Sequence, residues 1–256
     1  MNIITITNQK GGVGKTTTAH ILACALHDKG YKVLAIDTDP QTNLTYTAGI
    51  TPEETPATLH DVLKTKTISD DVIKTSKAGY DIISGSLTLA GADMEYGQTG
   101  REYMLKKALE PLREAYDYCI IDTPPTLGIL TINALTASNG VIIPMKADIY
   151  SIQGLAQLVG MIDNVKEYTN PDITIEGILL TQYSDRAVLN RSLRESIENT
   201  AKELNTKVFS SHIREAVAVR ENAFLKADIF KEYPKAKVTD DYKQFVNELL
   251  EENKGE

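Results

Sequence analysis

The segment IITITNQKGGVGKTTT, residues 3–18, decides how the rest of the chain is read. Its first residues are a β-branched run that predicts a strand. That run passes directly into Lys10-Gly11-Gly12-Val13-Gly14-Lys15-Thr16-Thr17, and a helical pattern begins at the second lysine. Glycines let the backbone curl until several N–H groups point inward at one anion. The helix N-terminus behind them adds its partial positive charge. In a loop of this kind Lys15 reaches β- and γ-phosphates and the Thr16 hydroxyl ligates Mg²⁺. The strict spacing of glycine, four residues and Gly-Lys-Ser/Thr is not met, because Gln9 stands where the first glycine belongs. A second lysine, Lys10, stands at the mouth of the loop instead.

Outward from this segment, short apolar runs alternate with helical patterns along the whole chain, the mark of βαβ units and a mostly parallel sheet. Strands are predicted at 3–8, 32–37, 80–85, 118–123, 140–145, 174–182 and, more weakly, 206–211. Buried parallel strands read as continuous β-branched runs, as these do. Helices are predicted near 15–29, 101–114, 128–138, 151–168, 188–204 and 238–251, with Gly30 and Pro171 as stop signals. Residues 42–77 read as short helices and loops. The expected fold is a doubly wound α/β sheet of seven or eight strands with helices on both faces. Residues 1–256 are expected to form one domain.

The chain has 256 residues, is 42% hydrophobic and 24% charged, and carries a net charge of −8. Such a composition excludes a disordered, collagen-like or rod-like chain. No apolar run reaches the roughly 18 residues of a membrane span. The first ten residues lack the pattern of a secretory signal. Cys24 and Cys119 form no metal or disulfide motif, so a reducing cytoplasm is expected. One stretch departs from the acidic average, since residues 186–226 hold eight basic residues against five acidic ones.

The run KGGVGKTT resembles the deviant phosphate-binding loop of the ParA/MinD family of ATPases. Two more segments fit that family. Asp37-Thr38-Asp39-Pro40-Gln41 resembles its first switch segment, and Ile121-Asp122-Thr123-Pro124-Pro125 its metal-binding strand end and second switch. The likeness continues through 140–155 and 177–186, and among family members it is greatest to the short ParA/Soj partition proteins. The resemblance implies ATP and Mg²⁺ as cofactors, held by residues 10–17 together with Asp37 and Asp122. It implies Thr16, Asp37 and Asp122 at the metal and Thr17 near the α-phosphate. Asp39 would position the attacking water. Lys10 would reach across a nucleotide-sandwich homodimer to the phosphates of the other copy, supplying the second cation that an arginine finger supplies elsewhere. Adenine contacts are expected near Gln182 and Ile213.

The same resemblance implies partition of plasmid or chromosomal cargo. The ATP dimer would bind DNA non-specifically on the nucleoid, and a ParB-like partner would stimulate slow hydrolysis and release. Arg186, Arg191, Arg194, Arg214 and Arg220 are the expected DNA contacts, with Arg191 and Arg194 together on the solvent side of an amphipathic helix. Other branches of the superfamily fit less well. A MinD-like cargo-positioning ATPase ends in a basic lipid-binding helix, whereas the tail FVNELLEENKGE is acidic, so no membrane partner is expected. Iron–sulfur relatives need cluster-binding cysteines, and tyrosine kinases a tyrosine cluster. Larger partition ATPases carry a DNA-binding region ahead of the core, which is not expected here. An ATP-dependent ligase would need a second substrate pocket that no motif marks.

Overall fold

The computed structural model describes residues 1–52, 55–69, 71–184 and 188–252. Its β-branched runs form strands β1 (Asn2–Ile6), β2 (Val33–Asp37), β3 (Ile73–Thr75), β4 (Asp81–Ile83), β5 (Tyr118–Asp122), β6 (Gly140–Met145), β7 (Thr174–Thr181) and β8 (Val208–Ile213). They join one sheet in the order β3-β4-β2-β5-β1-β6-β7-β8, and every described pairing is parallel except β3 with β4. The chain leaves β1 toward β2 on one side and returns to β6 on the other. The C-terminal end of β1 is therefore a switch point of the topology, where open α/β sheets bind ligands.

Side chains alternate along each strand. From β1, Ile4 and Ile6 enter a core built with α1 (Lys15–Asp28) and the late helices α9 (Val217–Leu225), α10 (Ile229–Glu232) and α11 (Lys237–Glu252). Ile3 enters the opposite core, with α3 (Leu59–Thr65), α4 (Ala92–Glu95), α5 (Met104–Leu109) and α6 (Ile129–Ala137). Beneath β6 and β7 a third cluster packs α7 (Ile149–Tyr168) and α8 (Val188–Glu203). The short α2 (Asn43–Thr47) follows β2. The doubly wound expectation holds.

Three local expectations need correction. The region 42–77 contains a strand as well as helices, because β3 pairs antiparallel with β4 at the sheet edge. Three residues on an edge leave almost no periodic signal. The helix expected over 101–114 is split into 3₁₀ turns on either side of α5, with Pro111 in the second of them, as a residue without an N–H requires. Helices α4, α9 and α10 lie outside the predicted helices; each is short, with at most nine residues.

At the other edge, β8 slips out of register with β7 between Val208 and His212. A bulge of this kind frees backbone N–H groups. Glu248 of α11 accepts from two of them, Ser210 N (2.6 Å) and Ser211 N (2.9 Å). Partial burial alone would raise the Glu248 carboxyl, but the bonds from Ser211 and Ser210 outweigh it and hold it below its ordinary value. A depressed carboxyl stabilises the fold above its unfolded pKa and stops doing so as pH falls through the folded one. Glu248→Ala should therefore lower the unfolding free energy by about 1–2 kcal/mol at pH 7. Urea titrations should show that difference vanish on acidification through the carboxyl's titration range.

Candidate nucleotide site

The loop after β1 is shaped by two left-handed glycines, Gly12 at φ 71° and Gly14 at φ 88°, a region closed to most side chains. Gly14 is the N-cap of α1, and no acidic residue occupies that helix's first turn. The free N–H groups and helix dipole thus remain available to an anion. Val13 is fully buried and anchors the loop. Its carbonyl accepts from Thr181 Oγ1 at 2.7 Å. Gln182 Nε2 donates to Gly12 O at 3.1 Å, and Asn8 Oδ1 accepts from Lys10 N at 2.9 Å. Lys15, only 7% exposed, turns back toward Lys10 O at 3.3 Å.

Facing this loop are three carboxylates. Asp37 and Asp122 are register partners at the ends of β2 and β5, both fully buried. Asp37 Oδ2 accepts from Thr45 N (2.8 Å) and Thr45 Oγ1 (2.6 Å), and Oδ1 from Asp39 N (3.1 Å). Its oxygens are thus committed to the loop and to α2, and it anchors the switch segment from behind. Asp122 Oδ2 accepts from Thr16 Oγ1 at 2.6 Å, while its buried Oδ1 has no protein partner. Asp39 lines the cleft itself, with Gln41 N donating to its Oδ1 at 2.9 Å.

Burial pushes the Asp37 carboxyl up to about 6, although the Thr45 and Asp39 bonds oppose it. Burial and then the Asp37 charge push Asp122 well above the ordinary carboxylate range, against the Thr16 bond and the Lys15 charge. Lys15 is itself lowered by burial, with Asp122 and Asp39 opposing. Ionised together, these groups hold more negative than positive charge, and an orphaned buried oxygen lies beside a threonine hydroxyl. That donor set fits a hard divalent cation held by Thr16 and Asp122.

Two clefts share Gly12, Gly14, Thr17 and Gln182. The phosphate side has a volume of about 500 Å³ and is lined also by Gly11, Lys15, Thr16, Asp39, Gln41 and Asn43. The other, about 320 Å³, is lined by Thr181, Ile213, Arg214, Ala216 and Val219, among others. Gln182 and Ile213 thus meet at one slot of a size suited to a small ligand. Lys10 points away from the loop. Its Nζ lies 2.6 Å from Asp148 Oδ2 and 3.4 Å from Ser151 Oγ. Asp148 is also the N-cap of α7, accepting from Ser151 N at 2.9 Å. The sequence reading missed Asp148, although Asp-x-x-Ser before an apolar helix is a capping pattern.

The arginines do not form one surface. Arg191 and Arg220 are exposed. Arg194 leaves the solvent side where it was expected. It pairs with Glu198 at 2.8 Å, donates to Phe209 O at 3.4 Å and lies over the Tyr183 ring. Arg214 is bound side-on by Asp241 of α11 through two 2.6 Å bonds, so its charge is offset while its side chain walls the second cleft. A helical pattern places charges on a face but cannot show which partner tertiary packing brings to them. Arg186 lies outside the described residues.

A family model described as an AAA domain matches residues 1–175. The sporulation initiation inhibitor protein Soj of Bacillus subtilis is 43% identical over 221 residues, 86% of each chain. The chromosome partitioning protein ParA of Caulobacter vibrioides is 39% identical over 225 residues, 86% of this chain and 83% of that one. The chain belongs to the Soj/ParA family. Among solved structures, cobyrinic acid a,c-diamide synthase of Mycobacterium smegmatis with ADP and magnesium superposes with a TM-score of 0.87 at 32% identity, over 99% of this chain and 96% of that one. A plasmid partition protein from Borrelia burgdorferi superposes with a TM-score of 0.77 at 28% identity, over 98% of both chains. No helix of the described residues is long and apolar enough to cross a membrane.

In this Soj/ParA protein the raised carboxyls set a pH dependence. A carboxyl raised on folding contributes stability below its unfolded pKa, and that contribution is lost as pH rises through the folded value. For Asp37 the window runs from its ordinary 3.8 to about 6. Asp122→Asn removes one charge from the cluster. In thermal melts of nucleotide-free protein it should raise Tm at pH 7.5 by about 2–4 °C, the shift of about 1 kcal/mol at this chain length. The decline in Tm between pH 5 and 7 should become shallower.

Proposed function

We propose that the protein is a DNA-partition ATPase. ATP with Mg²⁺ joins two copies into a nucleotide-sandwich dimer, the dimer binds duplex DNA without regard to sequence, and hydrolysis stimulated by a ParB-like partner releases it. The observation that carries this reading is the convergence of Lys15, Thr16, Asp39 and Asp122 at the phosphate cleft, in a chain 43% identical to Soj. Thr16 and Asp122 would hold Mg²⁺, which supplies positive charge to the β- and γ-phosphates. Asp39 would orient the attacking water, and Gln182 and Ile213 would flank the adenine. Lys10 would serve the partner copy's phosphates, which requires it to leave Asp148. Soluble, cytoplasmic action on the nucleoid follows from the same reading, whether the cargo is plasmid or chromosome.

DNA contact would fall to Arg191 and Arg220, with Arg186. Asp241 offsets Arg214, and Glu198 offsets Arg194. Phosphate neutralisation gives affinity that falls with salt by about 0.9 log units per contact per log unit of salt, and a dimer doubles the contacts. The synthase likeness favours a second reading, ATP-driven ligation, under which a small carboxylate rather than DNA would stimulate turnover.

Three measurements test the first reading. Lys15→Ala should abolish ATP binding while keeping the fold. Asp39→Ala should keep ATP and accumulate as a dimer in sedimentation with ATP–Mg²⁺, and a monomer there would remove Asp39 from its role. In DNA binding at two salt concentrations, with ATP held saturating because Arg220 also walls the base slot, Arg191→Ala/Arg220→Ala should weaken the ATP-loaded protein and flatten its salt slope. Arg194→Ala/Arg214→Ala should do neither. Equal loss in both double variants, or stimulation by small carboxylates alone, would overturn the DNA assignment.

A further inference from the structure

Helix α9 reaches from the base slot to α2, the helix that lines the phosphate cleft. Its N-cap Ala216, with Val219 and Arg220, walls the slot that contains Gln182 and Ile213. At its other end it packs on α2, the helix that follows Asp39 and places Asn43 and Thr47 along the phosphate cleft. The junction is specific. Lys226, the C-cap of α9, has φ 56°, the left-handed region where helices usually place glycine. Its ammonium lies 5.9 Å from the centre of the Tyr46 ring of α2. The next residue, Ala227, offers its carbonyl to His20 Nε2 of α1 at 2.9 Å and to Asn222 Nδ2 at 2.9 Å. The corner that ends α9 is therefore gripped by the helix behind the phosphate loop and by the helix behind the switch segment.

We propose that Tyr46 is a positioning residue that holds Lys226, and with it α9, so that the phosphate end of the cleft sets the position of the base wall. α2 is fixed at its root by the two Thr45 bonds to Asp37. Asp39, Gln41 and Asn43 line the phosphate cleft next to the start of α2, so a third phosphate bound on that side would bear on the helix. A diphosphate would lack that group. Tyr46 is thus the point at which the presence of a γ-phosphate is communicated to α9, and by linkage the coupling acts equally in the reverse direction. This inference rests on the ATP reading above.

The test compares binding of a non-hydrolysable ATP analogue and of ADP, both with Mg²⁺. Tyr46→Ala and Lys226→Gln should each reduce the preference for the triphosphate by about two- to five-fold, the range of an exposed cation–π contact. ADP affinity should stay within about two-fold. Tyr46→Phe, which keeps the ring, should retain the preference. Amide exchange across 217–225 should slow with the analogue in the unaltered protein and not in Tyr46→Ala. Equal loss of both nucleotides in Tyr46→Ala would make the ring a mere support of the fold and overturn the proposal. So would an unchanged preference in both variants. Absence of ATP binding in the unaltered protein would overturn the nucleotide reading and this inference with it, whereas binding with an unmoved preference overturns this inference alone.

Discussion

Asp37 and Asp122 stand side by side in register at the ends of β2 and β5, fully buried, and the site is organised around that crowding. Two carboxylates removed from water repel one another and resist ionisation. The fold answers the strain unequally. Asp37 is surrounded by donors from Thr45 and Asp39, so its charge is tied to the geometry of the loop that carries Asp39. Asp122 receives one hydroxyl and keeps one oxygen without a protein partner. One acid is thus saturated by donors of its own chain, and the other is not. The lysine of the phosphate loop lies close enough to feel both Asp122 and Asp39. Loop, strand ends and switch segment are consequently one electrostatic unit.

Much of this was legible in the sequence. Continuous β-branched runs mark seven of the eight described strands, and the glycine-lysine-threonine loop marks the switch point. What escaped detection was decided by tertiary contact. Strand β3 gains its structure from pairing with β4, and its three residues carry no period of their own. The roles of Asp37 and Asp122 read alike as strand-end acids, and only their hydrogen-bond partners separate them. Asp148 is one aspartate among many until the chain brings it within 2.6 Å of Lys10.

The basic segment shows the same limit in another form. Along 186–226 the arginines are equivalent as charges in the sequence, yet the fold distributes those that are described among different tasks. Arg194 braces α8 against β8 and the Tyr183 ring, and Arg214 joins β8 to α11. Both act as struts. A side chain that must hold two elements together in a fixed geometry has less freedom to follow a mobile polyanion. Arg191 and Arg220 are exposed, and Arg220 also walls the second cleft.

The bulge in β8 and the carboxylate of Glu248 that closes it have a consequence for assembly. An open, regular edge strand invites another chain to continue the sheet, and such additions are hard to reverse. Here one edge is distorted and its freed donors are occupied from within the same chain, while the other ends in a strand of three residues. Neither end offers a long template for growth by backbone pairing. Copies of the chain that meet are thus offered no edge on which to extend the sheet into an aggregate.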